Sequence, residues 1–301
     1  MKNQVIVGLG EILWDVFPDG PRFGGAPANF ACSAASLIAA KTSSKSIKVE
    51  MVSAVGADDF GRRALDELQQ REVGTDFVPM LSWPTGRVDV RLDESGHASY
   101  TFAENTAWDN VPWSDSLQKL ALRTSAVCFG TLGQRSPTSQ ATIRRFVETV
   151  PRDSLRILDI NLRPPWWTDE VVRQSLPLAN VVKLNSDELP ELARILNLHD
   201  SEESLLTAIL AKCSLQLIVL TRGGDGSRLV NRSGEVSDLP GESVEIVDTV
   251  GAGDSFTATV AMGLLHGMAL AEIHRRAAAV SAYVCSQPGA NPSIPPQLQF
   301  D

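Results

Sequence analysis

Two apolar patterns alternate along the chain. Short continuous runs fall at residues 5–10, 48–55, 125–130, 156–160, 180–184 and 215–220. Runs of that length and composition suit strands buried on both faces. Between them the apolar positions take helical spacing, from about 25 to 40, from 58 to 74, after Pro137, and from about 271 to Cys285, where Pro288-Gly289 ends the run. Strands alternating with helices predict an α/β fold with a mostly parallel sheet and helices on both faces. Two segments break the rhythm. Residues 85–92 and 97–103 alternate polar and apolar around Asp93-Glu94-Ser95-Gly96, a β-hairpin pattern, and residues 12–24 contain a Pro/Gly-rich bend. These segments, about 12–24 and 84–105, are expected to project from the sheet as a small β-lid. No repeat, linker or low-complexity stretch divides residues 1–301, so a single domain is expected.

Composition narrows the function classes. The chain is 43% hydrophobic and 21% charged, which is ordinary for a globular protein with a sizeable core. A net charge of −9 without any run of Lys and Arg argues against a dedicated nucleic-acid surface. Cys32, Cys128, Cys213 and Cys285 lie far apart with no C-x-x-C, and are read as buried thiols of a reducing compartment. No signal-peptide pattern and no apolar stretch of membrane-spanning length is present, so a cytoplasmic protein without membrane partners is expected. His97, His199, His266 and His274 have no metal-ligand spacing and are read as surface or lid residues. Gly8-x-Gly10 lacks the third glycine of a dinucleotide fingerprint, because Leu13 stands there. Gly56 and Gly61 have P-loop spacing, but Arg62-Arg63 replaces the required Lys-Ser/Thr. Ser255 lacks the G-x-S-x-G setting of a nucleophile.

One stretch carries distinctive chemistry. A β-branched approach, residues 244–250, runs into Gly251-Ala252-Gly253-Asp254, and helical spacing follows from Phe256. This predicts a strand, a tight glycine turn and a helix N-terminus, where unpartnered amides and the positive end of the dipole favour an anion. Asp254 at the start of that helix can act as a cap. Beside an anion site it can also take a proton from a nucleophile attacking a phosphoryl group.

Asp248-Thr249-Val250-Gly251-Ala252-Gly253-Asp254-Ser255-Phe256 resembles the C-terminal signature of the ribokinase-like (PfkB) family of carbohydrate kinases. The resemblance implies a three-layer ribokinase-like sandwich. It implies that the Gly251, Ala252 and Gly253 amides form an anion hole and that Asp254 activates the sugar hydroxyl. Gly24-Gly25-x-x-x-Asn29, with Asp15 upstream, is similar to the family's sugar-binding motif. Asn185-Ser186-Asp187-Glu188 matches N-x-x-E, which positions the Mg²⁺ of ATP, Glu188 acting in part through water; helix capping is the plain alternative. Thr221, Gly223 and Gly226 fall at the places of a T-x-G-x-x-G nucleotide loop, which a simple glycine turn explains nearly as well. Gly289-Ala290-x-x-Ser293 is similar to the loop that holds a monovalent cation such as K⁺ together with Asp248 and the Val250 carbonyl. Arg163, after a strand end and before Trp166-Trp167, can reach a phosphate or sugar substituent, or can stack on tryptophan at the surface.

The implied activity is ATP-dependent phosphorylation of a sugar hydroxyl. The motifs at residues 11–15, 23–29 and 129–135 resemble those of bacterial fructokinases, which implies fructose as substrate and O6 as acceptor. A 2-keto-3-deoxygluconate kinase is the alternative, since Arg163 could answer a sugar-acid carboxylate. A non-catalytic sugar- or nucleotide-binding regulator is disfavoured by the intact Asp254. Lids of this family often pair between subunits, so a homodimer is expected.

Overall fold

The computed structural model of the protein describes residues 4–39, 47–92 and 98–300. In chain order the first strands are β1 (Gln4–Leu9), β2 (Leu13–Phe17), β3 (Gly20–Gly24), β4 (Ile47–Val52) and β5 (Val55–Gly56). Next come β6 (Gly74–Phe77), β7 (Met80–Leu81), β8 (Gly86–Leu92), β9 (Ala98–Phe102) and β10 (Ala126–Gly130). The last are β11 (Leu155–Asp159), β12 (Val181–Asn185), β13 (Leu217–Thr221), β14 (Ser227–Asn231) and β15 (Val236–Leu239). The helices are α1 (Ala26–Ser36), α2 (Asp59–Gln70), α3 (Asp115–Ala121), α4 (Pro137–Thr149) and α5 (Asp169–Ser175). They continue with α6 (Glu188–Leu196), α7 (Glu202–Lys212), α8 (Ala252–Leu265) and α9 (Leu270–Cys285).

Nine strands form the central sheet, in the order β15-β14-β13-β12-β11-β10-β1-β4-β6. Neighbours pair in parallel from β13 to β6, and β14 and β15 add an antiparallel edge. Its strands alternate between two apolar cores. Val5 and Val7 of β1 pack into one core with Leu120 of α3 and Phe146 of α4, whereas Ile6 enters the other with Phe30 of α1 and Ala258 of α8. Burial on both faces explains why these strands read as continuous apolar runs. Each fully buried Leu, Ile or Phe contributes roughly 1.5–3 kcal/mol. Gly8 lets α1 lie close on β1, since a Cβ there would overlap the Pro27 carbonyl oxygen and lie 3.1 Å from Ala31 Cβ. That contact brings the start of α1 to the C-terminal end of β1.

The two segments that break the sequence rhythm lie in one four-stranded sheet, β3-β2-β8-β9. Trp14 anchors it, stacking on Phe60 of α2 at 5.6 Å and donating from Nε1 to the Phe60 carbonyl. The turn expected at Asp93 to Gly96, and His97, lie outside the described residues.

Several expectations are corrected. Residues 244–250 are not a strand. The Val247 and Asp248 amides both donate to the Cys285 carbonyl, and the Asp248 carboxylate curls the chain by accepting the Val250 amide. No ladder forms, and Val244, Ile246, Val247 and Val250 keep their side chains exposed. The first helix stops at Ser36, because Ile38 leaves it to bridge Phe300. His274 is fully buried, not a surface residue, with its two ring nitrogens on the Ser227 and Ser237 hydroxyls at 2.8 Å. Cys32 and Cys128 are buried, but Cys213 and Cys285 only partly.

Asp58 fixes the root of the second sheet. Its carboxylate accepts the Gly61 amide at the start of α2, and also the Thr85 amide and hydroxyl just before β8. Burial pushes this carboxyl up, but the Thr85 and Gly61 bonds outweigh it and leave the group below its ordinary range. Asp58→Ala is expected to lower stability by about 1–3 kcal/mol, read as a reduced denaturation midpoint, because it uncaps α2 and strands the Thr85 amide.

Candidate active site

The C-terminal ends of β1, β10, β11 and β12 converge with the N-termini of α1 and α8. Helix α8 starts at Ala252, and Gly251 caps it with φ 80°. A side chain at 251 is excluded twice, by that φ and by Ala290, whose Cα lies 2.7 Å from where a Cβ would stand. The amides of Gly253 and Asp254, in the first turn, have no i−4 partner within the helix. The Ala252 amide leans to the Thr249 carbonyl at 3.3 Å, so it is less free than the sequence reading supposes. Asp254 is the third helical residue, and no side chain caps α8. Its Oδ2 accepts Asn29 Nδ2 at 2.9 Å. Capping alone does not account for this carboxylate.

Its surroundings are strongly charged. Burial and Asp159 push Asp254 up to about 6, while Lys183, the Asn29 bond and Arg163 pull it down. Lys183 is buried in β12 and its Nζ lies 3.2 Å from Asp159 Oδ1. The same Nζ is 3.1 Å from where a Cβ on Gly253 would sit, so the ammonium lies directly under the glycine turn. Burial pushes Lys183 down, but Asp159, Glu188 and Asp254 outweigh it and hold the charge on. Glu11, at the end of β1, is 2% exposed and its Oε2 has no partner among the described residues. Burial drives it up to about 7, with Asp254 adding to the rise.

The remaining expected residues fall into two groups around this centre. On the β1 side, Asp15 of β2 points at Gly24, its Oδ2 2.9 Å from a Cβ position there, and burial lifts it to about 6. Gly25 is the residue before α1, and Asn29 lies in its first turn. Arg163 is exposed and, among the described residues, donates only to the Leu162 carbonyl, yet its charge acts on Glu11, Asp15 and Asp254. Trp166 stacks on Arg135, not on Arg163. Arg135 is clamped by Asp109 between the rings of Trp108 and Trp166, at 4.0 and 4.6 Å.

On the other side of α8 lies a cavity of about 280 Å³. Thr221, Gly223 and Gly226 line one wall, Val244 and Ile246 another, and Gly253 its inner end. An apolar slot leading to free first-turn amides fits a nucleotide with its phosphates toward Gly253. Glu188 is buried, its two carboxylate oxygens accepting the Leu162 and Asn185 amides at 2.8 Å. Asn185 Oδ1 in turn accepts the Asp187 and Glu188 amides. With its lone pairs so engaged, Glu188 fits a magnesium ion through water better than by direct ligation. Among the described residues no cluster of three His, Cys, Asp or Glu could hold a metal. Asp248 accepts the Gly289 amide at 3.2 Å, which joins two members of the expected cation loop. The carbonyl of Ser293, another member, is taken by the Tyr283 hydroxyl.

Sequence reasoning missed Glu11, Asp159, Lys183 and Asn291 as site residues. Asn291 donates to Asn29 Oδ1 at 2.8 Å. Asp159, at the C-terminal end of a strand, and Glu11, at the start of the motif at residues 11–15, carried a positional signal.

Residues 20–297 match the model of the pfkB family carbohydrate kinases, and the chain belongs to that family. An uncharacterized sugar kinase of Pyrococcus horikoshii is 29% identical over 95% of this chain and 91% of its own. Its structure in complex with ATP superposes with a TM-score of 0.78 at 26% identity, covering 95% of this chain and 94% of that one. An ATP-dependent 6-phosphofructokinase of Thermoanaerobacterium thermosaccharolyticum is 27% identical, over 98% of this chain and 92% of its own. A fructokinase of Salmonella typhimurium is also 27% identical, over 89% and 85%. Among the described residues no helix is long and apolar enough to cross a membrane.

The charge arrangement has a measurable sign. In aspartate-labelled protein followed by carbon NMR, Asp254 is expected to titrate near 6. Lys183→Met removes a nearby cation, so the Asp254 midpoint should rise further. A midpoint that stays put or falls would contradict the electrostatic picture.

Proposed function

We propose that this pfkB-family kinase transfers the γ-phosphoryl group of ATP to a hydroxyl of a neutral hexose, fructose being the first choice and O6 the acceptor. The observation that carries the reading is the Asp254 carboxylate. It is held by Asn29 within the first turn of α8, beside amides that have no helical partner. Asp15, Gly24, Gly25 and Asn29 lie on the sugar side, and Arg163 stands at its edge. Asp254 accepts the hydroxyl proton as the oxygen attacks, and its elevated pKa keeps it a strong enough base while it stays mostly ionised above pH 6. The amides of Gly251, Ala252 and Gly253, with the Lys183 charge beneath them, stabilise the negative charge that develops on the transferred group. Bound Mg²⁺ neutralises and orients the triphosphate. Asn185 and Glu188 hold its water shell, and Asp248, Val250, Gly289 and Ser293 are the candidates for a K⁺ site. Thr221, Gly223 and Gly226 line the nucleotide cavity.

The chain works as one domain, 1–301, with the β3-β2-β8-β9 sheet as a lid that excludes competing water. Its edges and the exposed Tyr100 of β9 suit a homodimer formed lid to lid. Free cysteines fit a reducing cytoplasm. Fructose is supported by the fructokinase-like motifs and by similarity to the Salmonella enzyme. The second reading, 2-keto-3-deoxygluconate, is favoured by one observation: Arg163 is exposed and among the described residues has only a backbone partner, so it can meet a carboxylate.

ADP release from Mg-ATP across fructose, ribose, 2-keto-3-deoxygluconate, tagatose 6-phosphate and adenosine is expected to be fastest with fructose. Asp254→Asn should lower kcat by about 10²–10⁴-fold. Turnover that survives this change removes Asp254 as the base. Arg163→Ala should cost a sugar acid about tenfold or more in kcat/KM and a neutral hexose far less, since only the acid loses a charge-assisted hydrogen bond. Equal losses on both discard the sugar-acid reading.

A further inference from the structure

We propose that Asn291 is a positioning residue for Asp254, acting through Asn29. The proposal rests on the reading of Asp254 as the base. Three side chains form a relay: Asn291 Nδ2 donates to Asn29 Oδ1 at 2.8 Å, and Asn29 Nδ2 donates to Asp254 Oδ2 at 2.9 Å. They come from the loop after α9, the first turn of α1 and the first turn of α8.

The chemistry of the groups fixes the direction of the relay. An ionised carboxylate only accepts, so Asn29 must show it the NH₂ end of its amide. An amide can also rotate by a half turn, and that rotation would set Asn29 Oδ1 against the carboxylate. Asn291 opposes it by offering Oδ1 a donor on the far side. Asn291 cannot itself be turned, because its Oδ1 would then face Asn29 Oδ1. That Oδ1 is buried and has no partner among the described residues. A residue kept only for packing gains nothing from a buried amide oxygen without a partner. The donor end is therefore the reason for the amide.

The placement of the loop gives the relay a second consequence. Ala290, the preceding residue, packs its backbone against Gly251 at the helix cap. One short loop thus touches the start of the anion turn directly and reaches the base through Asn29. Asp159, Lys183 and Arg163 also act electrostatically on Asp254, from β11, β12 and the segment after β11, and Asp254 in turn acts on Glu11, just beyond β1. None of them is altered by the neutral changes Asn291→Ala and Asn291→Ser, so a shift in the titration of Asp254 in those two variants reports the Asn29 bond.

The test measures kcat, both KM values and the pH dependence of kcat/KM for the full chain, its Asn291→Ala, Asn291→Asp and Asn291→Ser variants, and Asp254→Asn. In Asn291→Ala, kcat should fall about 10- to 100-fold with KM for ATP little changed, as for a displaced catalytic group. The acid limb should move to higher pH, because Asp254 loses a bond that favours its charged form. Asn291→Asp should be slower still, since its carboxylate repels Asn29 Oδ1 and drives the unwanted rotation. Asn291→Ser, whose hydroxyl can donate, should recover part of the loss, and it carries the comparison if the alanine variant does not fold. Wild-type kcat and an unmoved limb in Asn291→Ala or Asn291→Ser, with Asp254→Asn inactive, overturn the relay alone. So does an equal loss in all three variants with an unmoved limb, which is the pattern of a merely structural residue. Full activity in Asp254→Asn removes the base and the relay together.

Discussion

The structure depends on keeping a carboxylate charged where its surroundings favour a proton. Asp254 lies beside Asp159 inside the protein, at the entrance to a site shaped for more negative charge. The Asn29 bond and the Arg163 charge help to hold the balance, and two further devices lie beneath the turn and along the helix. The buried Lys183 ammonium sits between Asp159 and the glycine turn, and the open N-terminus of α8 adds its own positive end. A buried ion pair is weak evidence for stability, because desolvation consumes most of its attraction. Here the pair has a different use. It sets the charge state of the group beside it.

That arrangement fixes much of the architecture. Lys183, Asp159, Glu11 and Asp254 come from widely separated parts of the chain, and they meet only because parallel strands end together on one side of the sheet. Gly8 brings α1 close to β1, which puts Asn29 within reach of Asp254. The site carboxyls in turn carry a cost. Glu11, Asp15 and Asp254 all bind protons more tightly folded than unfolded. For such groups the unfolded chain holds fewer protons through the range from about 4 to 7, so their contribution to stability falls as pH rises across it. The ligand-free site is most comfortable in acid, where Asp254, the proposed base, would be protonated and idle. Activity and stability pull in opposite directions at these residues.

What was legible in the sequence is what is local. The turn Gly251-Ala252-Gly253 states its conformation through residue types, and the helix behind it through periodicity, so the turn and the helix start could be placed before any coordinates. The strands could be read because burial on both faces leaves no polar position to confuse the pattern. Lys183 shows the limit: a lone lysine in Val181-Val182-Lys183-Leu184 reads as an interruption of a strand, and its partner Asp159 is on another strand. Asn291 was illegible for the same reason, since its partner Asn29 is 262 residues away in sequence. Residues 244–250 misled in the other direction. β-branched composition normally means a sheet, but here Val244 and Ile246 form a cavity wall without a ladder.

That wall has a physical logic of its own. An exposed run of apolar side chains on a segment held mainly by the Cys285 carbonyl and the Asp248 side chain is costly in water. It is reasonable only where a flat apolar surface covers it for part of the working cycle, and a nucleobase is such a surface. On the proposed reading the phosphates meet the glycine turn at Gly253, with the buried lysine beneath it. The β3-β2-β8-β9 sheet, proposed as the lid over the sugar, is pinned at Trp14 and Asp58. On that reading the central sheet and its helix termini hold the reacting groups, while the second sheet governs who enters and whether water follows. A site that must discriminate a sugar hydroxyl from water needs that division, because water is always present and the two nucleophiles differ little in chemistry.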